Sequence, residues 1–256
     1  MKLIILVLML FQLMLNANGN TKISSFSKAK KLLKNKVYTT DNLKVGIYSN
    51  CTYESKQIKT KKGKTRYKLV VNKQSCNYTP RKPKNKRSNY IEWEHIVPAH
   101  AFGHALTCWN KGNDKCYSKK KKKHYKGRKC CNKVNKQFKL MQADMYNLAP
   151  AIGELNGDRS NYSFTMLSGE PRKYGAVDFE VDTKARKVEP PEFARGRIAR
   201  TYMYFKKTYG LSISEKQMKL YRVWNKKYPM TDKEKLIYKK IENIQYNKFS
   251  YLYLSI

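Results

Sequence analysis

The sequence predicts an α+β domain in which short strands come first and helices follow. Two observations carry this. β-Branched and alternating segments cluster before residue 100, and apolar stripes at helical spacing, behind capping signals, fill about the last sixty residues. Apolar residues are spread evenly after the first twenty positions and no internal repeat is visible. In a chain of 256 residues this favours one domain with loop insertions over two small ones.

In chain order, Met1–Gly19 starts with Lys2, runs apolar from Leu3 to Leu15 and ends in the small residues Asn16-Ala17-Asn18-Gly19. This is the pattern of a signal peptide cleaved after Gly19, leaving residues 20–256 as the mature domain. The apolar run is shorter than the roughly 20 residues a spanning helix needs. Asn20–Asn42 suits an N-terminal helix; Leu43–Tyr48 and Tyr67–Val71 suit strands on either side of a lysine-rich turn at Gly63. Thr79–Lys84 is a proline-punctuated basic loop, and Tyr90–Val97 reads as a strand stopped by Pro98. Ser118–Lys129 holds five consecutive lysines that cannot bury themselves, so residues 118–135 are expected to be an exposed insertion, either a solvated loop or a phosphate-gripping arm. Ile198, Tyr202 and Phe205 mark the first C-terminal helix. Ser212 with Glu215 and Thr231 with Glu234 then have capping-box spacing ahead of the stripes Leu220, Tyr221, Trp224, Tyr228 and Ile237, Ile241, Ile244.

Lys and Arg number 55 against 18 Asp and Glu, a net charge of +37, well beyond what solubility requires. A polyanionic partner or substrate follows, although an AT-rich coding sequence would also enrich Lys, Asn, Tyr and Ile. The six cysteines, even in number behind an export signal, read as disulfides of an oxidising compartment. Close spacing makes Cys51 with Cys76 and Cys108 with Cys116 the economical pairs and leaves Cys130 and Cys131 open. Zinc is the alternative, but no Cys-x-x-Cys pair exists.

The densest group of chemically capable side chains is Glu92-Trp93-Glu94-His95-Ile96-Val97-Pro98-Ala99-His100. Adjacent residues on a regular strand face opposite ways, so Glu94 and His95 can address one substrate only where the strand bends or ends, which Pro98 supports. A half-buried strand with a core histidine is the plainer reading. His100 and His104 could join His95 on zinc, but a strand break and Pro98 lie between them. A second group, Asp144–Leu148 with Gly153–Asn161, could be turn chemistry alone.

Together these segments resemble the bacterial endonuclease I family of periplasmic and secreted nucleases. The resemblance rests on EWEHIVPAHAFGH from Glu92, Cys108-Trp109, ADMYNLAPAIGELNGDRSN from Ala143, EPPEFARGRIARTYMY from Glu189 and WNKKYPMTD from Trp224, in the family's order. It spans about Val45 to Asn247. It implies a ββα-metal nuclease core, with a small mixed sheet and surrounding helices. His95 is then the general base, with Glu94 and Asn156 as metal ligands. The chemistry suits the types. An imidazole can take a proton at neutral pH, and a carboxylate and an amide oxygen are hard donors for Mg²⁺, with Ca²⁺ or Mn²⁺ as alternatives. The implied activity is hydrolysis of DNA, with RNA left open, at little sequence preference, giving 5′-phosphate and 3′-hydroxyl ends. The implied protein is an exported monomer, periplasmic or secreted.

The family's phosphate-holding arginine falls between the tryptophan and the next cysteine, where this chain has Asn110 to Lys115; Lys115 is the nearest cation. Lys115, Arg159 and the run Lys119, Lys120, Lys121, Lys122 and Lys123 are the expected substrate contacts. Tyr146 and Gln142 stand where a histidine and a glutamate are common. The competing class is a catalytically silent, secreted cationic protein that binds nucleic acid or anionic membranes. Such a protein needs the lysines but not Glu94, His95 and Asn156 together.

Overall fold

The computed structural model describes residues 19–59, 63, 65–169 and 172–249. The expected signal peptide, Met1–Gly19, lies outside them except for Gly19. Among the described residues no helix is long and apolar enough to cross a membrane.

Helix α1 (Phe26–Leu32) starts later than the composition suggests, because the Asn20 side chain holds an extended entry: Oδ1 accepts from the Ile23 amide and Nδ2 donates to the Leu140 carbonyl. Ser25 caps the helix, accepting from the Lys28 amide, and a π-helical turn continues it over Leu33–Val37, burying Ala29, Leu33 and Val37. The strand expected at Leu43–Tyr48 is absent. Asn50 takes a left-handed φ of 54° and donates to the Gly46 carbonyl, so a tight turn presents Ile47 and Tyr48 to the core. Isolated apolar residues in such a turn mimic strand alternation.

Strands β1 (Tyr53–Lys59) and β2 (Thr65–Val71) form an antiparallel hairpin with Tyr53 opposite Val71. The strand that matters most is β3 (Ile91–His95). It pairs antiparallel with β6 (Leu148–Ile152), placing His95 opposite Leu148 and Glu94 opposite Ala149. Helix α6 (Gly153–Arg159) follows β6 without a gap.

Between β3 and β6 lie α2 (Ala99–Gly103), α3 (Thr107–Asn110), the hairpin β4 (Tyr117–Ser118) and β5 (Lys123–His124), then α4 (Arg128–Val134) and α5 (Lys136–Gln142). Lys119–Lys122 turn this hairpin and are exposed. The expected insertion 118–135 therefore ends sooner than its composition implies, since α4 buries Cys130 and Cys131. Cys51 is bonded to Cys76. The expected Cys108–Cys116 pair is corrected: Cys108 is bonded to Cys131 and Cys116 to Cys130. Consecutive residues of a helix point about 100° apart, so the two cysteines of α4 each reach a different partner, one on α3 and one at the hairpin base.

A small sheet, β7 (Ser163–Phe164), β9 (Lys187–Glu189) and β8 (Glu180–Asp182) in that spatial order, leads to the helices. Helix α7 (Glu192–Tyr209) ends at Gly210, whose φ of 68° closes the helix as Leu211 donates back to the Phe205 carbonyl. Helices α8 (Glu215–Lys227) and α9 (Asp232–Gln245) complete the fold. Thr231 caps α9 as its spacing predicts, but α8 is capped by Ser214 rather than Ser212. Met218, Tyr221, Trp224, Ile237 and Ile241 are buried, so these stripes are core and not base-stacking platforms. A Cβ on Gly196 would collide with the Tyr228 carbonyl, so only glycine lets α7 approach the α8–α9 connection this closely.

Candidate active site

The end of β3 is fixed by Asn147, which reads the chain just beyond it: Val97 donates to Asn147 Oδ1 at 2.7 Å and Asn147 Nδ2 donates to the Val97 carbonyl at 2.9 Å. Pro98 then starts α2. The strand thus stops at His95, as the Pro98 break suggests, and Glu94, His95 and Asn156 line one cavity of about 650 Å³.

His95 is 7% exposed. Its Nε2 lies 2.8 Å from the Gln142 carbonyl, which can only accept, so Nε2 carries the proton and Nδ1 keeps the lone pair. Phe26 packs on the ring, with centroids 4.7 Å apart. Burial, reinforced by the Arg128 charge, pushes the imidazole down to about 3, so it is neutral at physiological pH.

Glu94 is buried beside it. Tyr48 and Arg159 both donate to its Oε1, at 2.8 and 3.0 Å. Burial pushes the Glu94 carboxyl up, against the pull of Arg159, Tyr48 and the His95 amide. Burial opposes the Arg159 charge too, but Glu94 and the surrounding tyrosines outweigh it and the net direction is upward. Asn156 stands on α6 with its Nδ2 donating to Glu92 Oε2 at 2.9 Å. That bond fixes which end of the amide is which and leaves the oxygen available. Arg87 in turn grips both oxygens of Glu92, at 2.8 and 2.6 Å.

Arg159, an expected substrate contact, lines the same cavity and is held by the protein itself. Its guanidinium is fully buried, and its terminal nitrogens serve Glu94, the His95 and Ile96 carbonyls and Tyr202. Lys115 and Lys119–Lys123 do not line the cavity. Arg128, which sequence reasoning missed, does. It is exposed at the mouth, steadied by Gln142 Oε1 at 3.3 Å and by the Phe26 ring at 5.3 Å. A signal for it exists: the lysine hairpin separates Trp109 from Arg128, which stands two residues before Cys130, so a count from the tryptophan that stops at Cys116 passes it by.

Of the other histidines, His100 and His104 stack on each other at 5.0 Å, and His100 meets Trp109 edge-on. Among the described residues no three His, Cys, Asp or Glu side chains gather as a metal site. Tyr146 and Asp144 turn away from the cavity. Tyr146 donates to the Asn247 carbonyl, and the buried Asp144 accepts from Tyr204, Tyr209 and Gln245.

A sequence model of the family Endonuclease I matches residues 25–253. The chain belongs to the endonuclease I family. It is 41% identical over 235 residues to Endonuclease-1 of Buchnera aphidicola subsp. Acyrthosiphon pisum, covering 90% of this chain and 81% of that protein. An extracellular deoxyribonuclease of Aeromonas hydrophila is 41% identical over 208 residues, covering 81% of this chain and 78% of its own length. A periplasmic deoxyribonuclease of the same species is 44% identical over 163 residues, covering 63% and 62%. An endonuclease I is an enzyme that cuts within a nucleic acid strand, and the polycationic chain accords with such a substrate.

Proposed function

We propose that this endonuclease is exported and hydrolyses DNA with a divalent ion, Mg²⁺ by donor type, with little regard for sequence. The observation that carries the reading is the meeting of Glu94, His95 and Asn156 in one cavity, the histidine neutral with its lone pair on Nδ1. Export is supported by the three disulfides and by relatives named periplasmic or extracellular. The arrangement of β3, β6 and α6 is read as the ββα-metal core of such nucleases.

The donor set fits a hard divalent ion. Tyr48 and Arg159 bond Glu94 through Oε1, and Asn156 has its nitrogen occupied by Glu92, so a carboxylate and an amide oxygen are the donors on offer to it. Two protein ligands are what Mg²⁺ ordinarily takes, with water and phosphate filling the rest. When bound, the ion would neutralise charge growing on the phosphate and on the leaving 3′ oxygen.

The chain's own residues do the rest. His95 accepts a proton from water at Nδ1, and the Gln142 carbonyl holds the ring for it. Arg128 offers a guanidinium fork to the scissile phosphate at the cavity mouth, the role first sought at Lys115. Arg159 holds the β3 exit so that Glu94 and His95 keep their positions. Phosphate contacts carry no base information, so affinity falls steeply with salt and cleavage follows no consensus. Attack with departure of the 3′ oxygen leaves 5′-phosphate ends.

Supercoiled plasmid incubated with Mg²⁺, with and without a chelator, tests this. Nicking that the chelator abolishes, with ligatable ends, is the expected result; binding without nicking in Mg²⁺, Mn²⁺ or Ca²⁺ would leave only a cationic binding protein.

A further inference from the structure

A second groove, of about 690 Å³, adjoins the active-site cavity and shares Lys30, Arg87, Glu92 and Trp93 with it. It runs between α1 and the β1–β2 hairpin. Its charged walls are Lys and Arg apart from Glu92, which Arg87 already pairs bidentately. Beside these cations stands an aromatic that packing does not explain. Tyr67 on β2 is 65% exposed, with the Lys34 ammonium 5.6 Å from its ring centroid. Nearby, Lys68 lies 3.9 Å over the Tyr90 ring. An exposed ring set among lysines along a channel is what an unpaired strand needs: cations follow the phosphates, and the ring face takes a base. In a duplex those base faces are covered by their neighbours.

We propose that this groove is a subsite for unpaired nucleotides flanking the scissile phosphate, with Tyr67 as the stacking platform and Lys31 and Lys34 on the backbone. The subsite rests on the reading of the neighbouring cavity as a nuclease site.

The test is fluorescence anisotropy of the mature chain in chelator, where no cleavage occurs. The probes are a labelled oligoadenylate of about twelve nucleotides and an abasic strand of equal length. Wild type should bind the base-bearing strand about tenfold more tightly, since stacking one base is worth roughly 1–3 kcal/mol. Tyr67→Ala should erase that preference, and Tyr67→Phe should keep it. Lys31→Ala with Lys34→Ala should weaken both probes alike and reduce the log–log salt slope by about 1.4, the value for two phosphate contacts on a single strand. A wild type indifferent to bases, or a Tyr67→Ala variant that keeps the preference, overturns the proposal. So does an equal loss of binding to anionic phosphatidylglycerol vesicles, which would assign the groove to a membrane surface. If the plasmid is nicked but Tyr67→Ala binds as wild type, the groove fails and the nuclease stands; a base preference lost in Tyr67→Ala without nicking gives the reverse.

Discussion

Arg159 and Glu94 form a buried ion pair beneath the exit of β3, with Nη1 3.0 Å from Oε1 and side-chain exposures of 0% and 4%. The same guanidinium donates to the carbonyls of His95 and Ile96, so one side chain ties the proposed metal ligand to the backbone of the proposed base. Removing one partner of a buried pair leaves the other charge uncompensated. Arg159→Met should therefore destabilise the fold by roughly 3–5 kcal/mol and lower turnover along with it. Urea titration followed by tryptophan fluorescence checks this. A variant with wild-type stability would mean that the pair is not buried as described.

The depressed His95 imidazole has a pH consequence of definite sign. Below about pH 6.5 the unfolded chain takes up a proton that the folded chain, with His95 near 3, refuses, so stability falls as pH drops across that window and is complete above it. Wild type minus His95→Gln, measured by urea midpoints in chelator, isolates this group from the buried carboxyls. The difference should shift against wild type between pH 6.5 and 3; a flat difference contradicts the burial.

Mass spectrometry of unreduced peptides should find Cys108 with Cys131 and Cys116 with Cys130. Replacing Cys116 and Cys130 by serine should cost about 3 kcal/mol, given their sequence separation of 14. A Cys108–Cys116 peptide would reject this pairing.

Lys119–Lys123 sit at a hairpin tip outside the cavity lined by Glu94, His95 and Asn156. Replacing all five with serine should flatten the salt dependence of DNA binding without reducing turnover at saturating DNA. An unchanged slope would make the tip a solvated loop.

Much of this was legible in the sequence because local chemistry and tertiary demand agree there. Pro98 after an alternating run ends β3 where the proposed catalytic pair needs an end, and Thr231 ahead of Glu234 caps α9. What failed depended on contacts distant in sequence. Leu43–Tyr48 reads as a strand only until the Gly46–Asn50 turn is seen feeding Ile47 and Tyr48 into the core. Nothing local reveals that Arg159, expected only as a substrate contact, is also surrounded by Glu94, His95 and Ile96, more than sixty residues earlier. Arg128 was hidden by the lysine hairpin, which displaces it from Trp109 in sequence while the two disulfides keep α4 beside the site.

The most direct test of the account is the turnover of His95→Ala against that of His100→Ala, with DNA affinity measured separately in chelator. If His95 is the base, its loss should slow turnover about 10² to 10⁴-fold while leaving affinity nearly intact, because the cations carry binding. His100, at the rim and stacked on His104, should matter far less. A His95→Ala enzyme that nicks plasmid at the wild-type rate, beside an inactive His100→Ala, would contradict the assignment.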